Sequence, residues 1–398
     1  MWNSIVVDWA SLAFRWLHVV AAMGWIGSSF YFIHLDLTLQ PAKDLPEGVA
    51  GEAWQVHGGG FYRIMKFLVA PKAMPDKLTW FKWEAYTTWL SGFMLVVIVY
   101  YLDADLFLVD KSVLDLTPLQ AALFSLVSLA LAWLLYEGAC HSRIAEHELA
   151  FVVGGYGFLV GLTYAFTHVL SGRGAFNQIG AIIGTIMVAN VFLVIIPNQR
   201  KTVAALLARE PPDPRLGKAG KQRSVHNNYL TLPVIVLMIS NHYPLLFATR
   251  YNWLIVAIVL ALGPVIRHFF NSRHSGQGSP WWVWGVAAAG MAAIAFLSAA
   301  GPRDAKRGEV AGATFAQVER IVSTRCTMCH AAEPVWQSLA TAPKAIRLDD
   351  AEQIHRNARL IGRNAAWSSA MPPGNITEMT SAERATIAAW LGAGAPAR

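Results

Sequence analysis

The sequence predicts an all-α protein made of a polytopic transmembrane bundle with eight spans and a smaller soluble helical domain at its C-terminal end. Of the 398 residues, 55% are hydrophobic and only 14% are charged, whereas soluble proteins average about 45–50% and about 25%. Apolar windows of about 20 residues, the length that crosses a bilayer, recur eight times before residue 301. The remaining residues have the hydropathy of a soluble domain, so the chain divides there.

The windows and the signals that flank them set the predicted domain boundaries. The windows lie at about 10–33, 80–102, 117–140, 149–171, 175–197, 227–249, 251–271 and 280–300. Gly301 and Pro302 end the last window and open a charged stretch that is typical of a linker. We therefore predict a transmembrane domain over residues 1–301, a linker over 302–312 and a soluble domain over 313–398. The capping box Thr380-x-x-Glu383 predicts a helix near the end of that domain.

The soluble domain carries the motif Cys326-x-x-Cys329-His330. Two thiols at this spacing near a helix end can form thioethers with the two vinyl groups of one porphyrin, and the adjacent imidazole can ligate its iron. A zinc site would need a second pair of ligands at zinc spacing, and no second cysteine pair follows. The motif therefore predicts a covalently bound haem c, attached through Cys326 and Cys329 and ligated by His330.

The second axial ligand of this haem is predicted to be Met371. It precedes Pro372-Pro373-Gly374, a turn that cannot form a helix and can hold a thioether against the opposite face of the ring. Met379 is the competing methionine. A His and Met pair fills both axial positions, which suits electron transfer rather than oxygen chemistry. The soluble domain is thus expected to be similar to a class I cytochrome c.

The loops between the spans differ in basic residues from one side to the other. Sixteen Lys and Arg residues fall on one side, and only Lys111, Arg173 and Arg250 fall on the other. By the positive-inside rule the first side is cytoplasmic, and eight spans then leave both termini outside. Covalent haem attachment on the outer face of the bacterial inner membrane agrees with this orientation. We predict a multi-pass inner-membrane protein with a periplasmic N-terminus and a periplasmic cytochrome domain.

The net charge of +7 is accounted for by this topology, because the basic residues concentrate in the cytoplasmic loops. A basic protein in solution would suggest nucleic acid as a partner. Here the predicted surroundings are the lipid bilayer, and no nucleic-acid partner is expected.

Polar side chains inside membrane spans are costly and therefore indicate functional positions. On the periplasmic side lie Arg15, His18, His168 and His242. Neutral imidazoles on facing helices are the usual ligands of haem b, so two of these histidines are candidates to hold a haem b or to line a redox or proton path. The polar residues near the cytoplasmic side include His34, Glu84, Glu137, His226, Asn227, Asn228 and Arg267.

Several stretches of the membrane part are longer and more specific than the haem motif. They run from Trp16 to Gly27, from His57 to Tyr62, from Lys77 to Glu84, from His226 to Pro233 and from Ser240 to Pro244. Together they resemble the membrane-bound bacterial urate oxidases that carry a fused cytochrome c, and the resemblance covers both domains. It implies hydroxylation of urate to 5-hydroxyisourate with water, and transfer of the electrons through the c-haem to the respiratory chain. A periplasmic cytochrome c or a terminal oxidase would accept them.

If urate is the substrate, as the resemblance implies, its chemistry indicates which residues bind it. Urate is a planar anion rich in carbonyl and N–H groups, so its site should offer a cation and amides. Arg63 or Lys66, in the long loop after the first span, is predicted to neutralise the anion, and Asn227 and Asn228 are predicted to bind its imide edges. The alternative for Arg63 and Lys66 is that they only enforce membrane topology.

Oxidation of urate also needs groups that accept protons. His226 at the start of the sixth span, Glu84 at the start of the second and His57 in the long loop are the predicted catalytic residues. This placement puts urate about 30 Å from the periplasmic haem, too far for direct tunnelling. Either urate binds higher in the bundle, near Arg15 and His18, or a haem b bridges the gap.

A second function class fits the same features. The chain could be a non-catalytic electron-conduit subunit that anchors a cytochrome and accepts electrons from a separate dehydrogenase or from quinol. Such a subunit has no need for the cationic motifs of the long loop, which favours the enzyme.

Overall fold

The structure, a computed structural model, describes residues 2–69, 77–302, 312–336 and 339–397 and is mostly helical. The helices are α1 (Trp2–Thr38), α2 (Trp83–Val96), α3 (Ala104–Phe107), α4 (Pro118–His141), α5 (Glu148–Thr167), α6 (Gly172–Ala189), α7 (Ile196–Leu207), α8 (Pro214–Ile239), α9 (Pro244–Phe247), α10 (Asn252–His274), α11 (Trp282–Ser298), α12 (Phe315–Arg325), α13 (Thr327–His330), α14 (Ala351–Arg356), α15 (Ala358–Ile361) and α16 (Ser381–Gly392). A π-helical segment, Val97–Tyr101, continues α2, and another, Asn190–Ile195, joins α6 to α7.

Helices occupy all eight of the predicted windows. Within the described residues, five are long and apolar enough to cross a membrane, namely Ile5–Thr38, Pro118–His141, Glu148–Thr167, Gly172–Leu207 and Asn252–His274. The apolar helix α11 is shorter, at 17 residues. Five spans are therefore supported by length and composition, and the total of eight stays a prediction.

A β-hairpin interrupts the predicted all-α fold in the long connection after α1. Strands β1 (Val49–His57) and β2 (Gly60–Phe67) pair antiparallel, and the turn between them consists of Gly58 and Gly59, both with positive φ. Two such residues form the tight turn whose twist matches that of a hairpin. The sequence analysis treated this connection as a loop, although a glycine pair between two apolar, β-branched and aromatic runs is a recognised hairpin signal.

The centre of the bundle is α6, which packs against α4, α5 and α8. Its residues Ile179, Ile182 and Ile183 are completely buried, because a helix that is apolar on most sides must be surrounded by other helices. The following π segment starts at Asn190, which is also buried. Such segments are frequent at functional sites, and Asn190 takes part in one of the polar networks described below.

The C-terminal domain has its own core, in which Val318, Val322, Ile387 and Trp390 are fully buried. These residues come from α12 and α16, the two helices at its ends. The predicted capping box at Thr380 is present, and it fixes the start of α16.

The loop that carries Met371, residues 368–375, lies against one end of the bundle and is called the Met371 loop. The amide of Ser369 donates to the carbonyl of Ala248 at 3.1 Å. At Gly374, a Cβ would come within 2.5–2.6 Å of the carbonyl oxygens of Asp105 and Val109. We call this the docked end of the bundle, and a cleft of about 620 Å³ remains there between the two parts.

Candidate functional site

The haem motif forms a compact unit at the end of α12. Cys326 follows α12, and His330 ends the single turn α13, where its amide donates to the carbonyl of Cys326 at 2.9 Å. The Nδ1 atom of His330 lies 2.8 Å from the carbonyl of Ile346. A carbonyl fixes Nδ1 as the donor and leaves Nε2 as the ligating nitrogen, which is how metal-binding histidines are oriented. Both cysteines are free thiols, so this arrangement fits a covalently attached haem.

The two candidate methionines have different surroundings. Met379 is 3% exposed and packs in the apolar core of the domain. Met371 is 37% exposed and is held through its backbone, because its amide donates to Asn364 at 2.8 Å and its carbonyl accepts from Arg384 at 2.8 Å. Met379 already fills the core, so Met371 stays the predicted second ligand.

In the membrane part, α8 directs the predicted residues His226, Asn227 and Asn228 to three different sides. Successive residues of an α-helix are rotated by about 100°, so the three side chains leave the helix in different directions. Asn227 is fully engaged in helix packing: it accepts from Asn190 at 2.9 Å and donates to the carbonyl of Met187 at 2.9 Å. Asn190 also donates to the hydroxyl of Tyr136 at 3.0 Å, and this hydroxyl contacts His226. His226 and Asn227 therefore belong to one network, whereas Asn228 has other partners.

His226 belongs to a network between α8, α4 and α5. Its Nδ1 atom lies 2.8 Å from the hydroxyl of Tyr136, and its ring stacks on Phe151 with centroids 4.8 Å apart. One turn earlier on α8, the buried Arg223 forms a 2.9 Å ion pair with Glu137. The charge of this arginine is therefore compensated inside the bundle.

Asn228 belongs to a second group on α1, α8 and α10, which we call the three-helix polar cluster. Its members are Phe30, His34, Asn228, Arg267, Asn271 and His274. The Oδ1 atom of Asn228 accepts from Arg267 Nε and from Asn271 Nδ2, both at 3.0 Å. The guanidinium carbon of Arg267 lies 3.9 Å from the centre of the Phe30 ring, and the rings of His34 and His274 are 4.5 Å apart.

Five polar atoms of this cluster are buried without a hydrogen-bond partner among the described residues. They are Asn228 Nδ2, Arg267 Nη2, Asn271 Oδ1, His34 Nδ1 and His274 Nδ1. Buried polar atoms are nearly always paired, and each one that is not requires an explanation. Convergent donors and acceptors of this kind are the groups that orient a ligand in a binding site, so the cluster is a candidate site.

The predicted residues of the long loop lie on the hairpin and are engaged elsewhere. Arg63 pairs with Glu52, and Lys66 pairs with Asp36 at 2.6 Å. Arg63, Lys66 and Asp36 are exposed, whereas the side chain of Glu52 is 13% exposed. The two hydrogen bonds that Glu52 accepts, from Trp54 and from Arg63, lower its pKa. His57 is exposed beside the hairpin turn.

Glu84 lies in the first turn of α2, where a carboxylate is favoured by the helix dipole. It is half-buried, and its side chain faces Gly24 of α1, where a Cβ would lie 3.5 Å from Glu84 Cγ. The structure therefore places Glu84 at the contact between α1 and α2, and no hydrogen bond joins it to His226 within the described part of the chain.

The three histidines that the sequence analysis predicts for the periplasmic side lie in different settings. His18 is half-buried against α2, its Nδ1 atom lies 2.8 Å from the carbonyl of Thr88, and a Cβ at Gly92 would approach its ring to 2.8 Å. That orientation leaves Nε2 available as a haem ligand. His168 is exposed and bonded to the carbonyl of Tyr164, one turn earlier, and His242 is exposed in a short 3₁₀ turn. No hydrogen bond or ring contact joins these three histidines in the described ranges.

Arg15 donates to the hydroxyl of Ser11, one turn earlier on α1, at 3.2 Å. Tyr100 is a buried residue of the π segment after α2. The hydroxyl of Tyr100 donates to Asn241 at 2.6 Å, and Arg173 contacts the same amide at 3.4 Å. These polar groups are close to α3 and hence to the docked end of the bundle.

Sequence reasoning did not single out Asn271 or His274, and it named Arg267 only among the polar residues near the cytoplasmic side and among the loop charges. A signal was present, because Arg267, Asn271 and His274 recur at i, i+4 and i+7, the spacing of one helix face. It was obscured because the apolar window was taken to end near residue 271. The pairing of α10 with α1 and α8, which completes the cluster, could not be read from the sequence.

The fold and these sites define a helical protein with a largely apolar bundle and a C-terminal domain that carries a Cys-x-x-Cys-His motif. The family model described as Urate oxidase N-terminal matches residues 4–298. The chain therefore belongs to this family, which supports an oxidoreductase that acts on urate. Comparisons with curated proteins and with solved structures give no match.

The family match confirms the urate oxidase resemblance for the bundle. It ends before the C-terminal domain, so the fused cytochrome stays a prediction that rests on the haem motif and on the geometry around His330.

Proposed function

We propose that this protein is a membrane-bound urate oxidase that hydroxylates urate to 5-hydroxyisourate and delivers the electrons to a haem c in its C-terminal domain. The observation that carries the proposal is the family match over residues 4–298, which covers the bundle on which the haem-motif domain docks. The acceptor that follows is a periplasmic cytochrome c or a terminal oxidase, and the setting is the bacterial inner membrane with both termini periplasmic.

The reaction balances with water as the only oxygen source. Urate loses two electrons and two protons, the oxidised purine is attacked by water, and the hydroxyl oxygen of 5-hydroxyisourate comes from that water. The bound haem c would supply one-electron acceptance, so it must be oxidised twice for each urate. Cys326 and Cys329 would hold it, and His330 and Met371 would ligate the iron.

Protons released from urate require acceptors in the bundle. His226 is the first candidate, because its Nδ1 atom is bonded to the Tyr136 hydroxyl and a histidine oriented in this way can exchange a proton at its other nitrogen. Glu84, at the contact between α1 and α2, and the exposed His57 lie outside this network, and their predicted catalytic roles are kept as proposals for proton transfer to solvent.

A bridging redox group is proposed between the substrate region and the docked end. The helix α10 is continuous, and at 1.5 Å per residue Arg267 lies about 20 Å from Asn252, which lines the cleft at the docked end. A haem b ligated by His18, with His168 or His242 as the second ligand, would shorten the electron path. The orientation of His18 supports it as a ligand.

The test uses the purified full-length protein in detergent, without any partner. Urate added to the oxidised protein is expected to produce the reduced α-band of haem c and 5-hydroxyisourate without hydrogen peroxide, and ¹⁸O from labelled water should enter the product. A pyridine haemochrome spectrum of the same sample measures haem b.

The matched control is Cys326→Ala with Cys329→Ala, which removes the attachment sites and leaves the bundle unchanged. Urate oxidation should be lost in this variant. If urate fails to reduce the haem of the intact protein while a quinol or a reduced dehydrogenase succeeds, the electron-conduit function replaces the proposed one.

A further inference from the structure

We infer that the three-helix polar cluster is the site that binds the urate anion, with Arg267 as its cation and Asn228 and Asn271 as its amides. This inference rests on the proposed function, because urate is the ligand whose chemistry is matched to the site. It differs from the sequence prediction, which assigned the cation to Arg63 or Lys66.

The buried arginines of the protein differ in whether their charge is compensated by a partner. Three arginines in the described part of the chain are almost fully buried: Arg223, Arg267 and Arg384, which are 3%, 5% and 7% exposed. Arg223 has Glu137 as a partner, and Arg384 is bonded to backbone carbonyls. Arg267 has no carboxylate within 4.0 Å in the described ranges. An uncompensated buried cation is strongly unfavourable, and an anionic ligand would remove that penalty.

The unpaired atoms of the three-helix polar cluster match the polar groups of urate. Arg267 Nη2 and Asn228 Nδ2 are free donors that can bind the carbonyl oxygens of urate, and Asn271 Oδ1 is a free acceptor for a ring N–H. The imidazoles of His34 and His274 each have an unpaired Nδ1 atom on the same side of the bundle, and each can donate or accept according to its tautomer. A planar ligand with alternating carbonyl and N–H groups would satisfy this set.

The guanidinium of Arg267 is held rigidly by its neighbours. Arg267 is held on one side by the Phe30 ring and on another by Asn228, which also receives a hydrogen bond from Asn271. These contacts fix the guanidinium, and its Nη2 atom stays buried without a partner among the described residues. Preorganised donors of this kind bind an anion without the entropy loss that a mobile side chain would impose. Arg63 and Lys66, in contrast, are exposed side chains that already have carboxylate partners.

The experiment compares urate binding to oxidised full-length variants by equilibrium dialysis, together with the KM for urate-driven haem reduction. Arg267→Gln removes the cation, and His274→Phe removes one imidazole at a half-buried position where folding is less at risk. Both should weaken urate binding, Arg267→Gln by at least tenfold and His274→Phe by about threefold to tenfold. Reduction of the haem by dithionite should be unchanged.

The matched controls come from the same helix. Arg273→Gln and His268→Phe make the same chemical changes at exposed positions outside the cluster, and both should bind urate within twofold of the wild type. Arg63→Gln tests the rival assignment on the hairpin, and we expect it to bind urate nearly normally.

The inference is overturned if His274→Phe and Arg267→Gln bind urate like the wild type, or if Arg63→Gln loses binding while they do not. Failure of the proposed function has a different signature, since the wild type itself would then neither bind urate nor be reduced by it. If Arg267→Gln does not fold, urate binding by His274→Phe is compared with urate binding by His268→Phe, and this comparison decides whether the cluster binds urate.

Discussion

At the scale of single residues, Arg384 is the buried cation of the C-terminal domain, and its bonds converge on the Met371 loop. One of its terminal nitrogens, Nη1, donates to the carbonyls of Ala365, Ser368 and Met371 at 2.6, 3.2 and 2.8 Å. Burial lowers the pKa of this guanidinium, while hydrogen bonds to several carbonyls stabilise its charged form. Arg384 thus acts as a positioning residue for the predicted axial ligand.

Replacing Arg384 should therefore loosen the bond between Met371 and the haem iron. In Arg384→Gln we expect the charge-transfer band of the iron–sulfur bond to weaken and the reduction potential to fall by roughly 60 mV, a tenfold change for one electron, because a methionine ligand raises the potential. Spectroscopy and redox titration of the full-length protein measure both. Arg384→Lys should recover part of the loss.

The control for Arg384 is Arg325→Gln in the same domain. Arg325 is bonded to Glu383 and to the carbonyl of Thr377 and has no bond to the Met371 loop. The Arg325→Gln variant should have a lower stability, with the charge-transfer band and the reduction potential of the haem unchanged. An unchanged potential in Arg384→Gln would contradict the positioning role.

At the scale of elements, the contact between α8 and α10 brings the parts of the polar cluster together. Pro233 of α8 lies against Gly263 of α10 so closely that a Cβ at Gly263 would be 2.3 Å from the proline ring. Small residues allow helix backbones to approach in this way. Asn228 and Arg267 lie about one turn beyond this contact on their respective helices, so the contact controls their separation.

We expect Gly263→Ala to push α8 and α10 apart. Overpacking of this kind destabilises by about 1–3 kcal/mol, and urate binding should weaken because Asn228 and Arg267 separate. Gly184→Ala is the control, since nothing lies within 4 Å of the position of its Cβ. Thermal unfolding in detergent measures stability, and equilibrium dialysis measures urate binding. If Gly263→Ala and Gly184→Ala have equal stability and equal urate binding, the contact between Pro233 and Gly263 has no special role.

Individual helices were largely predictable from sequence, whereas the side chains they bring together were not. The apolar windows coincide with helices because length and hydropathy are local properties of the chain. His226, Asn227 and Asn228 look like one motif in the sequence, but the helical rotation between neighbours sends them to different partners. Arg267 lies 39 positions from Asn228, and only the packing of α8 on α10 makes them neighbours.

At the scale of the whole molecule, the Met371 loop is also the surface by which the C-terminal domain docks on the bundle. Gly374, with φ of 55°, lies against the carbonyls of Asp105 and Val109. The predicted haem ligand is thereby placed three residues from the contact between the two parts. Docking at this loop would bring the proposed electron acceptor, haem c, close to the end of the bundle.

Gly374→Ala should disturb this docking. A methyl group there would meet two carbonyl oxygens, so urate-driven reduction of the haem is expected to slow by about tenfold or more while dithionite reduction and the haem spectrum stay normal. Gly394→Ala is the control, because Gly394 also has a positive φ but no atom within 4 Å of the Cβ position, and the backbone strain of roughly 1–2 kcal/mol is similar in both. If urate reduces the haem at equal rates in the two variants, docking at Gly374 does not control electron transfer. Stopped-flow spectroscopy measures the rates.

The sequence by itself determined the two-part organisation, the haem motif at Cys326, Cys329 and His330, and the urate oxidase family of the bundle, because each is encoded in contiguous residues. Tertiary structure alone decided that Arg267 and Asn228 are hydrogen-bonded to each other, that Arg63 and Lys66 of the hairpin have carboxylate partners, and that the Met371 loop faces the bundle. These features depend on contacts between residues far apart in the chain. Hydropathy and motif spacing carry no information about which helix faces meet.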